Sequence, residues 1–422
     1  MTVSPAPQES QVAHATRKSI KKNFPMGSVM SKGADNPITL HSVNDDVFVR
    51  FWSLIGETML VDGELARSTK EAIANLISTR NDCPICINAH CALQAAATRA
   101  ETYQQKKKQK SDAKDKAAAA KESKGLEEER KRHKQALDYA GLVFDAMENK
   151  QDMDALSSDS SSGSNRRFSR LSDGARAECA LVVVLFVHMN RVVSAILGEE
   201  MSTAMFSVPR AAAKVMESKG MVQFMSRVMS PLLSSSFETK LEAGLTASLF
   251  PNNDDGAAGI SQAPLPPHLR GALLAGVERA NALARLQHWV DNYCKETLVG
   301  YGIVSKNLIR FLDEAKVSPP EFSIYSPEVL LEWADTDVPE KMKQWGGLDA
   351  SQQTIGAVLM LTEVAPQVVH SQTRYWDSLV QLLGNKMART VVVWWSLRLA
   401  LKEAKGLDQE IDAQTMMGLL SQ

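Results

Sequence analysis

The chain has 422 residues, a length that predicts two or three domains, each able to bury a core. Its formal net charge of −1 excludes a general attraction to nucleic acid or to a membrane surface. The longest apolar run, residues 179–187, falls short of the roughly 20 residues that a membrane-spanning helix needs. The five cysteines are too few and too uneven for a secreted disulfide framework, so we expect a reducing, cytoplasmic compartment.

The N-terminal region divides into a tail and a helical segment. Residues 1–41 contain several prolines and little periodicity, so we predict a flexible tail. An amphipathic helix is expected to begin after Ser42 or Asn44, because Asp45 and Asp46 suit its first turn.

Two further helices follow, and a charged insertion comes after the second. One helix contains Glu71, and the next begins near Cys83 and runs to about Ala97. Residues 99–172 form an insertion that begins with a Lys-, Gln- and Glu-rich solvated helix and includes the serine-rich linker 157–164. Amphipathic spacing returns at 136–147.

The rest of the chain is also expected to be helical. Ser172 is predicted to cap a buried helix over 175–197. Val182–Val184 could form a buried strand by propensity, but the length of the apolar segment and the lack of a partner strand favour a helix. We expect helices at 211–229, 269–299, 352–369 and 391–401 as well, and place a linker at 236–264. The predicted fold is therefore all-α, with domains at 42–235 and 265–422.

One stretch carries an arrangement suited to chemistry, Glu–x11–Cys–x2–Cys–x3–His, formed by Glu71, Cys83, Cys86 and His90. On a helix, the two cysteines and the histidine share one face. Pro84 suits a first helical turn and Asp82 or Cys83 can cap it, so the thiols lie at a helix N-terminus, which favours a thiolate. Two helices packed as a hairpin would aim Glu71 at His90.

This motif resembles the core of the AhpD-like alkylhydroperoxidases, within the carboxymuconolactone decarboxylase superfamily. The resemblance covers residues 47–97 and agrees in all three spacings. It implies that Cys86 attacks a hydroperoxide and that Cys83 resolves the product as a disulfide. His90 would act as the base and Glu71 would orient it, with an external dithiol as reductant and neither cofactor nor metal.

Two further residues are candidates for lining this site. The AhpD-like relatives have a helix with a similar His-x-Asn-Arg stretch against the redox helix, which makes His188 a candidate. AhpD carries a histidine just before its second cysteine, whereas this chain has Ile85 there. The resemblance therefore implies a less activated Cys86 or a drier approach to it.

The C-terminal part resembles a second, degenerate copy of the same unit. Aligning Gln353 with Glu71 places Ala365 on Cys83, Val368 on Cys86 and Gln372 on His90, with apolar positions kept. None of these four side chains supplies a thiolate or a general base. We therefore predict two AhpD-like helical repeats, of which the second is structural or binds a ligand, in a monomer or small homo-oligomer.

Other interpretations of the motif remain open. A zinc site would lack suitably spaced further ligands, and a carboxymuconolactone decarboxylase-type lyase would not need the cysteine pair. A redox-linked regulatory or ligand-binding protein resembling the two-half sestrins is the main alternative. Arg166 to Ser169 could form a kinase site, although a solvated loop explains the same residues.

Overall fold

A computed structural model describes residues 11–23, 37–112, 116–149, 170–197, 241–246, 249–250, 267–315, 327–371 and 373–404. These residues form helices and no strand, which confirms the all-α prediction. The α-helices are α1 (Gln11–Asn23), α2 (Asp45–Ile55), α3 (Arg67–Arg80), α4 (Pro84–Asp112), α5 (Lys116–Asn149), α6 (Asp173–Ile196), α7 (Pro267–Tyr293), α8 (Lys306–Glu314), α9 (Pro327–Trp345), α10 (Ala350–Val364), α11 (Pro366–Ser371), α12 (Thr373–Leu383) and α13 (Asn385–Glu403). A 3₁₀ helix spans Thr39–Val43, and π-helices at Gly56–Leu60 and Cys294–Val299 directly follow α2 and α7.

Local capping explains where two helices of the N-terminal half begin. The Asn44 side chain accepts hydrogen bonds from the backbone N–H groups of Asp46 and Val47, so α2 begins at Asp45 as predicted. The Ser172 hydroxyl accepts from the Ala175 N–H at 3.2 Å and caps α6, also as predicted. Each cap satisfies an N–H group that would otherwise lack a partner.

Helix α6 is the central element of the fold. It packs against α3 and α5 on one side and against α11 and α13 on the other. Within the described part of the chain, α6 alone is long and apolar enough to cross a membrane, but 94% of its most apolar window is buried inside the protein. Val182 and Val183 are fully buried in this helix, which confirms a helix rather than a strand.

The two halves of the chain share one hydrophobic core. Residues of α2, α3 and α6 belong to the same buried cluster as residues of α7, α10 and α13. Trp394 and Trp395 of α13 are both fully buried, and the Trp394 indole N–H donates to the Val290 carbonyl at 3.2 Å. The proposed domain boundary is therefore crossed by close packing, and its position stays a prediction.

The described N-terminal residues differ from the flexible tail predicted for 1–41. Helix α1 packs on α2, with Ala13 and Thr16 fully buried and Arg17 above the Phe48 ring at 4.9 Å from its centre. His41 is fully buried as well. The fully buried side chains of α1 are small, and only Val12 and Ile20 add larger apolar contacts, so no run of large apolar side chains marked this helix in the sequence.

The described part of the predicted linker 236–264 is anchored rather than free. Glu57, 1% exposed, accepts hydrogen bonds from the Gly244 N–H at 3.2 Å and from the Thr246 N–H at 2.9 Å. The Thr246 hydroxyl also lies 2.7 Å from that of Ser53. This segment therefore supplies the partners that a buried carboxylate requires.

The charged insertion is built from long helices. Helix α4 continues to Asp112 rather than ending near Ala97, and α5 contains the amphipathic stretch expected at 136–147, with Ala136, Tyr139 and Val143 buried. That stretch packs against α3 and α6. The serine-rich linker, Arg166–Ser169 and the helix expected at 211–229 lie outside the described residues.

A buried ion-pair network joins the two halves near α3. The Lys70 ammonium lies 2.5 Å from one carboxylate oxygen of Glu178. The same oxygen lies 2.8 Å from the Arg279 guanidinium of α7. The other Glu178 oxygen accepts the Leu65 N–H at 3.0 Å. Burial lowers the pKa of Lys70 to about 8, although Glu178 opposes the shift. Removing one member would leave a buried charge without its partner.

A second buried polar chain consists of His41, His188 and Ser396. His41 Nδ1 lies 3.1 Å from the Pro37 carbonyl oxygen, so this nitrogen carries the proton and donates it. A neutral His188 then donates from Nε2 to His41 Nε2 at 2.9 Å, and its Nδ1 lone pair lies 2.9 Å from the Ser396 hydroxyl, which also donates to the His188 carbonyl at 3.2 Å. Both imidazoles are therefore neutral, and burial lowers the pKa of His41 to about 3 and that of His188 well below its usual value.

This chain predicts that the protein loses stability in mild acid. The unfolded histidines bind protons below pH 6.5 whereas the folded ones do not, so the free energy of unfolding falls as the pH falls from about 7 to 5. Each histidine contributes up to about 1.4 kcal/mol per pH unit. Glu71 and Glu178, whose pKa values are lowered from 4.5, add their loss only at lower pH.

Urea denaturation at pH 7, 6 and 5 measures this dependence. The variant His41→Gln should show a shallower slope than the wild type, because it removes one group whose proton binding differs between the two states. The variant His288→Asn, at an exposed histidine of α7, is the matched control and should keep the wild-type slope. An unchanged slope in His41→Gln would contradict the buried neutral pair.

Candidate active site

The α3–α4 hairpin brings the predicted motif together. The two helices pack side by side, and the reversal between them uses Asp82 in a left-handed conformation with φ of 47°. The Cys83 N–H donates to the Ser78 carbonyl at 3.0 Å and closes the turn. His90 Nδ1 consequently lies 2.7 Å from a carboxylate oxygen of Glu71, which confirms the predicted contact.

Glu71 is a fully buried carboxylate with two partners. One of its oxygens contacts His90, and the other accepts the Arg67 Nε–H at 2.8 Å and pairs with the rest of the guanidinium. Burial by itself raises the pKa of Glu71, but the charge of Arg67 and the hydrogen bond with His90 outweigh it, so the pKa is lowered. Glu71 is therefore ionised at neutral pH and fixes the orientation of both neighbours.

His90 links the buried carboxylate to the outside of the hairpin. Its side chain is 11% exposed, and its ring meets the Phe186 ring edge-on with the centroids 4.4 Å apart. With Nδ1 donating to Glu71, the neutral ring carries a lone pair on Nε2. Among the described residues, no hydrogen-bond partner occupies that nitrogen, so it is available to exchange a proton.

The two thiols are free and almost fully buried. Cys83 is 1% exposed and Cys86 is 3% exposed, and both belong to the main core together with Ile85. Burial by itself raises the pKa of Cys83, but hydrogen bonds from Cys86 and from the Ser194 hydroxyl outweigh it and lower the pKa. Burial and the neighbouring Cys83 sulfur raise the pKa of Cys86 well above its usual value. The lowered pKa therefore belongs to Cys83, whereas the resemblance implied Cys86 as the attacking thiol.

The histidine and the thiols share a helix without touching. Cys86 and His90 lie one turn apart on α4, but no hydrogen bond joins them among the contacts of the described residues. Proton exchange between them therefore requires an intervening water molecule or the reacting substrate. Direct deprotonation of Cys86 by His90 is not supported by this arrangement.

One face of α6 forms the opposite wall of the site. Phe186, Asn190 and Ser194, spaced four residues apart, contact His90, Ser78 and Cys83 respectively. Asn190 accepts the Ser78 hydroxyl at 3.2 Å, whereas its buried Nδ2 has no hydrogen-bond partner among the described residues. The wall is thus apolar at His90 and polar at the thiols.

His188 does not line this wall. Two residues along a helix rotate a side chain by about 200°, so His188 lies on the opposite face of α6 from Phe186 and Asn190. There it bonds to His41 and Ser396. The prediction of His188 as a lining residue is corrected by this helical phase.

Three residues of the site were not identified from the sequence. Arg67 lies one turn before Glu71 on α3, a spacing that could have indicated an ion pair. Ser194 and Asn190 are distant from the motif in sequence, and only the packing of α6 on the hairpin brings them near it.

In the second half, none of the described positions aligned with Glu71 and the two cysteines carries a carboxylate or a thiol, although α11 contains His370, whose buried Nδ1 has no hydrogen-bond partner among the described residues. Pro366 begins α11 directly after α10, as Pro84 begins α4 after α3. Ala365 and Val368, aligned with the two cysteines, are buried, and the Gln353 amide donates to the Leu348 carbonyl at 2.9 Å. Gln372, aligned with His90, lies outside the described residues.

Metal ligands are not clustered in the described ranges, where no group of three or more His, Cys, Asp or Glu side chains is arranged to hold an ion.

No protein-family model matches the chain, and comparisons with curated proteins and with solved structures found no significant match. The function is therefore argued from the geometry of the site.

The geometry predicts that Glu71→Gln destabilises the fold. The change removes the charge that Arg67 and His90 face in a buried position. Because 16% of the Arg67 side chain stays exposed, we expect a loss of about 2 kcal/mol rather than the roughly 3–5 kcal/mol of a fully buried pair. Urea denaturation at pH 7 measures the difference.

Asp313→Asn provides the matched control for this measurement. Asp313 pairs with Arg398 at 2.8 Å, but the two side chains are 29% and 24% exposed. We expect a cost below about 1 kcal/mol there. Equal losses in the two variants would contradict a buried, charged Glu71.

Proposed function

We propose that this protein is a thiol-dependent peroxidase of the alkylhydroperoxidase type, which reduces hydroperoxides with the Cys83–Cys86 pair. The observation that carries the proposal is the Glu71–His90 hydrogen bond of 2.7 Å on the same hairpin as two free thiols. A carboxylate, an imidazole and a dithiol are the groups that such a reaction requires. The zinc interpretation lacks the further ligands in the described residues.

The reaction uses both sulfurs. One thiolate attacks the terminal oxygen of the hydroperoxide, the O–O bond breaks, and the sulfur becomes a sulfenic acid while the alkoxide takes a proton. The second thiol then attacks the oxidised sulfur, an S–S bond forms and water leaves. An external dithiol reduces the disulfide by thiol–disulfide exchange and completes the cycle.

The Glu71–His90 pair moves the protons. With Nδ1 held by Glu71, His90 accepts a thiol proton at Nε2 through water and returns it to the departing alkoxide. The negative charge of Glu71 stabilises the imidazolium between these steps. Arg67 keeps Glu71 ionised, so we assign it a supporting role in the same relay.

Several features support a two-repeat, AhpD-like architecture as part of the proposal. Each half has a helix that ends in a π-helix, and these helices, α2 and α7, pack against each other. In each half a proline begins the helix of the aligned motif, and the helices that carry the valine triplets, α6 and α13, pack together. The second copy would then serve as a structural support for the first.

Peroxidase activity is the direct test. The purified chain should consume an organic hydroperoxide with dithiothreitol as reductant, and Cys83→Ser or Cys86→Ser should abolish turnover. His90→Ala should lower the rate by about 10²-fold or more, because general acid–base catalysis contributes about that much.

Cys294→Ser is the matched control, since Cys294 is a half-buried thiol of the second half and is distant from the motif in sequence. It should keep full activity. Equal peroxide consumption by the wild type and by the Cys83→Ser/Cys86→Ser double variant would exclude the peroxidase.

A redox-linked regulatory or ligand-binding protein, resembling the sestrins, is the second candidate. The burial of both sulfurs, at 1% and 3% exposure, favours it, because a peroxidase must admit its substrate. In that case the double cysteine variant would still be stabilised by a bound ligand.

A further inference from the structure

Asn190 projects from α6 into the interface that holds Glu71 and His90. Glu71 and Ser78 lie seven residues apart on α3 and therefore share one face of that helix. On this face Glu71 contacts His90 at 2.7 Å, and the Ser78 hydroxyl contacts Asn190 at 3.2 Å. Phe186, one turn before Asn190 on α6, meets the His90 ring. Three helices therefore bring Asn190 to the same interface as the proton relay.

Asn190 lies at the thiol end of this interface. Helix α6 passes His90 at Phe186 and reaches Ser78, near the turn of the hairpin, at Asn190. One helical turn, about 6 Å, thus leads along α6 from the base towards the hairpin turn. On α4 the same step back from His90 leads to the thiols. Ser78 also joins the two sides, because its carbonyl accepts the Cys83 N–H at 3.0 Å.

One end of the Asn190 amide has no partner, although the residue is only 1% exposed. Oδ1 faces the Ser78 hydroxyl, whose single proton also reaches the Ala74 carbonyl at 2.7 Å, and Nδ2 bonds to no group in the described ranges. Rotating the amide by 180° would leave Oδ1 free in place of Nδ2, so one polar end is unused in either orientation. An unpaired buried polar group is costly, and a ligand that pairs with it removes that cost.

We propose that Asn190 is a substrate-binding residue, and that the free end of its amide binds the hydroperoxide group and holds the O–O bond beside the thiols. This inference deepens the proposed function and rests on it for the identity of the ligand. Both oxygens of a hydroperoxide accept hydrogen bonds and its terminal O–H donates one, so it can pair with either end of the amide. In the described orientation, Nδ2 donates to the oxygen that leaves as alkoxide, where negative charge develops as the O–O bond breaks.

Asn190→Leu separates a binding role from a structural one. Leu has nearly the shape of Asn, and Ser78 keeps the Ala74 carbonyl as its acceptor, so the change removes the unpaired group and leaves no new one. We expect the free energy of unfolding to stay the same or to rise. The kcat/KM for tert-butyl hydroperoxide should fall about tenfold, because one hydrogen bond to the reacting group is lost. The rate constant for reduction of the disulfide by dithiothreitol should stay unchanged.

Binding can also be measured apart from turnover. In the full-length ¹⁵N-labelled Cys83→Ser/Cys86→Ser variant, neither sulfur of the pair is left to oxidise. The side-chain amide signals of Asn190, assigned by their loss in Asn190→Leu, should shift and saturate as tert-butyl hydroperoxide is added. Asn292 of α7 is the matched control, because its amide already bonds to His288, and its signals should not move.

The two experiments distinguish a failure of this inference from a failure of the proposed function. A saturable Asn190 shift without turnover by the wild type would exclude the peroxidase and keep the binding site. Turnover with an unmoved Asn190 signal would overturn the inference and keep the peroxidase, and the free amide end would then serve a bound water molecule only. An Asn190→Leu variant with the kcat/KM of the wild type, or one that loses stability and slows both half-reactions alike, would also overturn it.

Discussion

The buried carboxylate of Glu71 is the constraint on which the candidate site depends. A charge with no exposed surface is stable only when its neighbours compensate the lost hydration, and Arg67 and His90 each bind one of its oxygens. The contact with His90 joins α3 to α4, and the contact with Arg67 fixes the carboxylate within α3. The imidazole is therefore oriented by the fold before any substrate is bound, which is the property that acid–base catalysis requires.

The second half of the chain supports this site indirectly, by packing against α6 of the first half. That helix presents Phe186, Asn190 and Ser194 to the hairpin, and its opposite side packs on α11 and α13. The Lys70–Glu178–Arg279 network and the His41–His188–Ser396 chain tie the same helix to the N-terminal segment and to the C-terminal helices. Helices of the C-terminal half therefore support the wall of the candidate site from behind.

Local rules predicted much of this arrangement. Capping side chains marked the starts of α2 and α6, and the spacing of Glu71, Cys83, Cys86 and His90 was sufficient to predict one hairpin and one contact. The errors concern interactions between residues distant in sequence. Helix packing determines the burial of His41, the partners of His188 and the position of Ser194 beside Cys83. The periodicity of the sequence within one helix does not predict such packing.

The relative acidity of the two thiols shows this limit clearly. A helix N-terminus favours a thiolate, and the sequence left Asp82 and Cys83 as alternative caps of the helix that contains Pro84 in its first turn. The backbone hydrogen bond from Ile87 to Cys83 makes that distinction.

The orientation of the His90 ring is the most direct test of the candidate site. In ¹⁵N NMR spectra of the reduced protein at pH 7, we expect the His90 ring to carry a proton at Nδ1 that is held by Glu71 and shifted downfield, and this downfield signal should vanish in Glu71→Gln. A His90 ring protonated only at Nε2, or one whose spectrum is the same with and without the Glu71 carboxylate, would contradict the site as described.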